Sequence, residues 1–361
     1  MDKKNHRIAI FFPSFNIGGV ERVMITLANS LNDINIKLIV IVTQKKGELL
    51  NLLNCSIPII DLSCRLKRAI LPLRKVIKKN KIDFIISGPN FCNYTAILAS
   101  IGTNCKVIAT QHCYDNIEGI NLGFIYNIDK YLMGLIYNKS KNIIAITPGI
   151  RDYLLDKGVK NELIKFIPNP VDKYEIINKS QIEISELFDT RKPYLIFVGR
   201  LSVVKNIELL LKAFQIVLKD KKDINLLICG DGPERIKLEL MAEKYGINKN
   251  VQFLGSISNP YPYIKHASTL VLPSYSEALP TIIIESLMLN IPVITTPTNG
   301  AVEILGKDYP GLLTGFESVD ELAELINKNI SNFEINNSNI IKLQKYDPVI
   351  VAMKYLKLIE T

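Results

Sequence analysis

The chain has 361 residues, of which 48% are hydrophobic and 22% charged, with a formal net charge of +9. That length predicts two domains, and the composition supports ordinary buried cores. No apolar run reaches the roughly 18 residues that span a bilayer, and the first residues lack the apolar segment of a secretory leader, so a cytoplasmic protein is expected.

The first half alternates strand-like and helix-like runs. Residues 7–12 read as a strand and 20–31 as a helix, with Val20, Val23, Met24, Leu27, Ala28 and Leu31 on one face. Between them stands Ile17-Gly18-Gly19-Val20-Glu21-Arg22. Two glycines let backbone N–H groups approach a ligand, and a helix start favours negative charge. The spacing is not the dinucleotide fingerprint, and a tight turn without ligand fits as well. Strands are expected at 37–43 and 83–87. The stretch 65–81 holds Arg65, Lys67, Arg68, Arg74, Lys75, Lys78, Lys79 and Lys81 and no acid. Leu66, Ala69, Ile70, Leu73, Val76 and Ile77 recur there at helical spacing, which predicts a basic amphipathic helix kinked at Pro72. A solvated helix face explains it, and so does a helix lying on an anionic membrane or beside an anionic lipid-linked substrate. Helical stretches between 91 and 101, a strand at 106–110 ending in Gln111-His112, a helix near 121–138 and a strand at 142–147 complete this half.

Pro168 and Pro170 break any regular element in 166–172, the expected hinge. Polar residues 173–192 lead into a fresh series. Strands are expected at 194–198, 225–229, 251–254, 269–272 and 292–295, and helices at 206–218, at 233–245 and around Glu285. An Asn-rich loop is expected at 327–339 and a last helix at 348–359. Two doubly wound α/β domains in tandem follow from this alternation.

The richest stretch is Leu272-Pro-Ser-Tyr-Ser-Glu277-Ala-Leu-Pro-Thr-Ile-Ile-Ile-Glu285. Glu277 falls in a loop at the carboxyl end of a strand, and Glu285 about one turn into the next helix. Ligands bind at that end of an open parallel sheet. Ionised carboxylates only accept hydrogen bonds, so the pair suits a hydroxyl-rich ligand. Arg200 and Lys205, five residues apart after the strand 194–198, suit a diphosphate: a planar fork and a point charge. Cys229-Gly230-Asp231-Gly232-Pro233-Glu234 is another strand-to-helix turn, with Pro233 fitting a first helical position. The strand around Leu254 could present backbone groups to a flat base.

Of three histidines, His6 reads as exposed and His266 as a helix-surface residue, whereas His112 ends a strand at the ligand-binding end of the sheet. Cys55, Cys64, Cys92, Cys105, Cys113 and Cys229 show no C-x-x-C spacing and read as reduced thiols. No D-x-D, H-E-x-x-H or Cys/His cluster supplies a metal site, so no metal is expected. The positive charge favours an anionic partner. Its concentration on one helix, without an RNA-binding motif, argues against nucleic acid.

Gly18-Gly19-x-Glu-Arg, Gly199-Arg-Leu with Lys205-Asn206, Gly230-Asp-Gly-Pro-Glu234 and the Glu277/Glu285 pair occur in the order found in family 4 of the retaining glycosyltransferases, and the chain resembles that family over nearly its whole length. The resemblance is nearest to bacterial enzymes that extend lipid-linked glycans such as O-antigen or capsule. It implies the GT-B fold: an acceptor-binding Rossmann-like domain at 1–171, a nucleotide-sugar-binding one at 172–340, and a terminal helix at 341–361 returning to the first. It implies a nucleoside-diphosphate sugar as donor, UDP-linked as in most such relatives, and no cofactor. Arg200 and Lys205 would hold the diphosphate, Glu285 the ribose and Glu277 the sugar hydroxyls. Ala278, Leu279, Pro280 and Thr281 would run beside the sugar and phosphate, Gly18 and Gly19 would close over the diphosphate, and His112 would lie near the reacting centre. The acceptor would bind the first domain beside 65–81, placing the protein at the inner face of the cytoplasmic membrane. Family members often carry Gly where this chain has Ala278, which is compatible if φ stays negative. Asn299 before Gly300 is a second departure. A sugar-nucleotide epimerase or hydrolase would use the same clamp, and a non-catalytic sugar-nucleotide-binding protein is the remaining alternative.

Overall fold

The computed structural model describes residues 6–114, 132–183, 192–332 and 343–360. Seven parallel strands form the first sheet: β1 (Ile8–Phe12), β2 (Leu38–Val42), β3 (Ile59–Asp61), β4 (Phe84–Ser87), β5 (Lys106–Gln111), β6 (Asn142–Ala145) and β7 (Ile164–Phe166), in the order β3-β2-β1-β4-β5-β6-β7. Five more form the second: β8 (Tyr194–Val198), β9 (Asn225–Cys229), β10 (Val251–Gly255), β11 (Thr269–Leu272) and β12 (Val293–Thr295), in the order β10-β9-β8-β11-β12, also parallel. The central strands are mostly apolar and are buried along their length in β1, β4 and β11. A parallel strand covered by helices on both faces has no polar side to show, which is why the sequence runs apolar without alternating. Both sheets are the doubly wound α/β class expected.

The chain divides into two compact units. Among the described residues, the first takes those up to Val171 together with those from Lys345 onward, and the second runs from Asp172 to Gln344. In each sheet the strand order reverses once. The switch lies between β1 and β4 in the first unit and between β8 and β11 in the second.

The C-terminal helix Pro348–Glu360 packs on the helix Gly19–Asp33. Its Val351, Ala352, Tyr355 and Ile359 join Met24, Leu27, Ala28 and Leu31 in the first unit's core.

Several local expectations need correction. The stretch 65–81 is two pieces, a 3-10 turn at Leu66–Arg68 and an α-helix at Ile70–Asn80. Pro72 sits in the helix's first turn, where a missing N–H costs nothing, so the break falls at Ala69 and not at the proline. The apolar stripe Ala69, Leu73 and Ile77 is buried, and the helix packs on the helix Asn90–Ser100. Its amphipathic pattern is therefore spent on the fold, while Arg65, Lys67, Arg68, Lys75, Lys78, Lys79 and Lys81 remain exposed. Arg74 is also committed: it donates to the carbonyls of Ala99, at 3.1 Å, and Ile101, at the end of that neighbouring helix.

Residues 327–332 are not loop but the end of the helix Val319–Asn332, whose Leu322, Ala323, Ile326 and Asn329 are buried at helical spacing. The rest of the Asn-rich stretch, and residues 121–131 of the helix expected near 121–138, lie outside the described residues. His6 is half-buried, edge-on to Phe84 at 5.1 Å, rather than exposed. No cysteine is in a disulfide; Cys92, Cys105 and Cys229 are buried, Cys64 and Cys113 half-buried and Cys55 exposed.

Candidate active site

The switch point of the second sheet gathers most of the residues singled out in the sequence. β8 and β11 are neighbours there, so the loops leaving their carboxyl ends lie side by side. The β8 loop carries Arg200 and closes in a 3-10 turn, Val203–Lys205. Asn206 ends it in the left-handed region, at φ 49°, and its side chain donates to the Phe316 carbonyl at 3.2 Å. The β11 loop carries Ser274 to Pro280. Tyr275 N–H donates to the Val204 carbonyl at 2.8 Å, stitching the two loops together.

Lys205 and Glu277 meet across that seam. The Lys205 ammonium donates to Glu277 Oε1 at 2.6 Å, and the Ser274 hydroxyl donates to the same oxygen at 2.7 Å. Lys205 of the expected cationic clamp and the expected sugar-orienting carboxylate thus form one ion pair. Arg200 is exposed and pairs with no carboxylate among the described residues. Glu277 is held from behind as well, since the Gly300 N–H donates to its carbonyl at 3.2 Å. A Cβ at Gly300 would lie 2.5 Å from the Ala278 carbonyl oxygen and 2.7 Å from Pro280 Cδ, so only glycine admits this approach. Ala278 does not adopt a positive φ, which is the condition for alanine to stand there.

Pro280 precedes the helix Thr281–Met288, and Glu285 lies a turn in, 9% exposed. Leu279 is buried and Leu254, near the end of β10, is half-buried. The Gly230–Glu234 turn has a structural account of its own. Asp231 accepts from the Gly232 N–H at 2.7 Å and pairs with Arg235 at 3.0 Å, and these contacts, the backbone one first, hold its carboxyl below the usual range. A Cβ at Gly232 would lie 2.3 Å from the Leu201 carbonyl oxygen, so glycine lets this turn brace the β8 loop. Helix formation begins at Arg235, which leaves Pro233 in the turn and not at the first helical position.

In the first unit, Gly18 caps the helix Gly19–Asp33 and has no side chain to offer. Glu21 folds back over it: a Cβ at Gly18 would meet Glu21 Oε2 at 2.1 Å. Burial pushes the Glu21 carboxyl above its ordinary pKa. The helix start therefore already holds a carboxylate from its own first turn, which the dipole favours.

His112 is buried just past the end of β5. Nε2 lies 2.7 Å from Thr110 Oγ1, and Nδ1 lies 3.1 Å from the Asn169 side chain in the proline-rich segment after β7. Thr110 spends its own proton on the Ser87 carbonyl at 2.7 Å, so it accepts from His112 and places the ring proton on Nε2. Nδ1 lies 3.1 Å from Asn169 Oδ1, so a neutral ring protonated on Nε2 requires this amide in its flipped orientation, with the N–H donating to Nδ1. Burial drives the ring pKa down to about 4, against a smaller opposing effect of Asn169. A Cβ at Gly88 would lie 2.6 Å from Thr110 Oγ1 and 3.1 Å from His112 Nε2, so the glycine leaves room for this arrangement. His266 ends a short helix and is exposed. Among the described residues no three His, Cys, Asp or Glu side chains are grouped to hold a metal ion, and no helix is long and apolar enough to cross a membrane.

The residues that sequence reasoning missed are Ser274 and Gly300, the two that fix Glu277. Ser274 stood inside the richest stretch, three residues before Glu277, but nothing in that spacing says that its hydroxyl turns toward the carboxylate.

Comparison with known proteins agrees with this architecture. Residues 17–174 match the model of Glycosyltransferase Family 4, and residues 178–344 that of Glycosyl transferases group 1. Two Campylobacter jejuni proteins are similar over 97% and 98% of this chain and 98% of their own length, at 24% and 27% identity. The first is an N-acetylgalactosamine-N,N'-diacetylbacillosaminyl-diphospho-undecaprenol 4-alpha-N-acetylgalactosaminyltransferase, and the second an alpha-1,4-N-acetyl-D-galactosaminyltransferase named for a diNAcBac-PP-undecaprenol-linked substrate. Among solved structures, HepE of Anabaena in complex with UDP and glucose superposes with a TM-score of 0.78 at 19% identity, covering 98% of this chain and 99% of that one. A glycosyltransferase of Rickettsia africae gives 0.80 at 20% identity, covering 99% and 98%. With the two family models together spanning nearly all of its length, the chain belongs to the family 4, group 1 glycosyltransferases of GT-B fold.

Proposed function

We propose that this glycosyltransferase moves a sugar from a UDP-sugar to a hydroxyl of a lipid-linked glycan, with retention at the anomeric carbon. The observation that carries the reading is the Lys205–Glu277 pair at the switch point, with Arg200 exposed on the same loop and Glu285 one turn into the next helix. In this reading Arg200 and Lys205 hold the diphosphate, Glu285 accepts from the ribose hydroxyls and Glu277 from hydroxyls of the sugar. The backbone of Ala278 to Thr281 lies along the sugar and phosphate, Leu254 lies near the base, and Gly18 and Gly19 are assigned to phosphate contact. The UDP bound to HepE supports the nucleotide, and the undecaprenol-linked substrates of the Campylobacter relatives support the acceptor class.

The chemistry follows from what these groups can do. The bond from the anomeric carbon to the phosphate oxygen breaks, and its electron pair leaves on the diphosphate. Arg200 and Lys205 stabilise that growing charge, work that a bound cation does in other enzymes. The acceptor hydroxyl attacks from the face the phosphate is leaving, forms the new carbon–oxygen bond and passes its proton to the departing phosphate oxygen. Glu277 fixes the sugar and forms no bond. His112, neutral and with both ring nitrogens engaged, suits shaping the acceptor side better than carrying protons.

The acceptor surface we assign to the first unit. Leu71 and Phe91, 69% and 73% exposed, start two helices that pack together, near Arg65, Lys67 and Arg68 on the preceding turn. Apolar groups beside fixed positive charge suit a lipid diphosphate or an anionic bilayer surface.

The deciding experiment incubates the protein with UDP-sugars and a polyprenyl-diphosphate-linked glycan, with and without a chelator. An elongated lipid with an α-linkage, unchanged by chelator, is the expected product. Free sugar or an epimer without elongation would instead make the enzyme a hydrolase or epimerase.

A further inference from the structure

The Glu277 carboxylate has an unequal pair of oxygens. Oε1 takes both the Lys205 ammonium, at 2.6 Å, and the Ser274 hydroxyl, at 2.7 Å. Oε2 has no hydrogen-bond donor among the described residues. Ser274 is fully buried and held in turn, because its carbonyl accepts from Thr296 Oγ1 at 2.5 Å and Thr296 is itself fully buried just past β12. Lys205 is the longer and more exposed partner, with its side chain 23% exposed against 12% for Glu277.

These two donors to one oxygen are not equivalent once a nucleotide sugar arrives. A diphosphate carries more charge than a carboxylate and competes for the Lys205 ammonium. The flexible lysine can swing to it, whereas the buried serine cannot follow. We propose that Ser274 is the positioning residue for Glu277. When the diphosphate draws Lys205 away, Ser274 alone keeps Oε1 pinned and Oε2 turned outward to accept from a sugar hydroxyl. In the empty site the Lys205–Glu277 pair is a placeholder, and Ser274 keeps the carboxylate from turning after the lysine as the pair opens. Thr296 fixes the serine, which gives the turn after β12 a part in sugar binding through Ser274. This inference rests on the donor reading above.

The test separates nucleotide binding from sugar binding. Calorimetry is run with UDP and with UDP-glucose, UDP-galactose and their N-acetylated counterparts on wild type, Ser274→Ala, Glu277→Ala and the double variant, with thermal unfolding as the check on folding. The expected result is that Ser274→Ala binds UDP within about twofold of wild type. It loses about ten- to a hundredfold in affinity for the best UDP-sugar, as removal of a hydrogen bond to a charged group does. In the Glu277→Ala background the same substitution adds less than about twofold, because a residue acting only through Glu277 has nothing left to act on. Equal binding of the UDP-sugar by Ser274→Ala and wild type overturns the inference and leaves the donor reading standing. So does a full additional loss in the double variant, which would make Ser274 independent of Glu277. Wild-type protein that binds neither UDP nor any of these sugars overturns the donor reading and the inference with it.

Discussion

The two switch points use the same topology in opposite ways. At β8 and β11 the ionisable groups are graded in exposure: Arg200 is exposed, Lys205 and Glu277 pair under partial cover, and Glu285 is buried. Around β1, β4 and β5 they are drawn inward. Glu21 is folded over Gly18 with its pKa raised by burial, and His112 is sealed and neutral between Thr110 and Asn169. A charge held near water can be handed to an arriving anion at little cost, whereas a buried one must first be desolvated or neutralised. In the donor reading proposed above, the second site exchanges partners with a ligand while the first keeps a fixed shape.

The sharpest way to break that contrast is Lys205→Ala. Sugar transfer should fall by about 10²–10³-fold, as when one charged stabiliser of a transition state is removed. The folded state should lose less than about 1 kcal/mol, since the pair is partly solvated. Transfer assays beside urea unfolding decide it, and a large stability loss would make the pair a structural one. The converse test is pH. His112 has its folded pKa pushed down from 6.5 to about 4, so its contribution is fully present above pH 6.5 and is lost as the pH falls toward 4. The first unit should weaken by up to about 3 kcal/mol across that window. Amide exchange in β4 and β5 reads the change, and His112→Gln should flatten it. A smaller effect separates committed from uncommitted charge on the basic helix. Arg74→Ala should cost about 1–2 kcal/mol through the carbonyls it leaves at Ala99 and Ile101, while Lys75→Ala, fully at the surface, should fall within about 0.5 kcal/mol of wild type. A further test is Gly18→Ala. Its Cβ meets only the movable end of Glu21, so about 1 kcal/mol is expected, and Glu21→Ala in the same chain should restore most of it.

Much of the fold was legible because a parallel strand buried on both faces leaves a short unbroken apolar run such as Ile8–Phe12. β3 and β7 were missed because they are the two edge strands of the first sheet, three residues each and partly exposed, so no buried apolar run marks them as one marks β12. The helix Val319–Asn332 was partly misread as loop because its asparagines outweigh, to the eye, a buried stripe at Leu322, Ala323 and Ile326. For the site, the two glutamates could be placed on a loop and a helix by local spacing alone. That Lys205 and Glu277 touch could not, since they are 72 residues apart and meet only because β8 and β11 became neighbours. The basic helix shows the opposite failure. Its amphipathic spacing was real, but spacing does not say whether the apolar face meets a membrane or the next helix.

The helix Pro348–Glu360 has a consequence for how the molecule is made. Val351, Ala352, Tyr355 and Ile359 belong to the core of the unit that contains β1, so that core stays open until this helix has been synthesised. The second unit, whose described residues lie between Asp172 and Gln344, has all its strands earlier and can close first, reversing the usual order in which domains complete on the ribosome. The half of the enzyme begun first is finished last, and a chain cut short before Pro348 would carry a complete second sheet beside a first one with its core exposed.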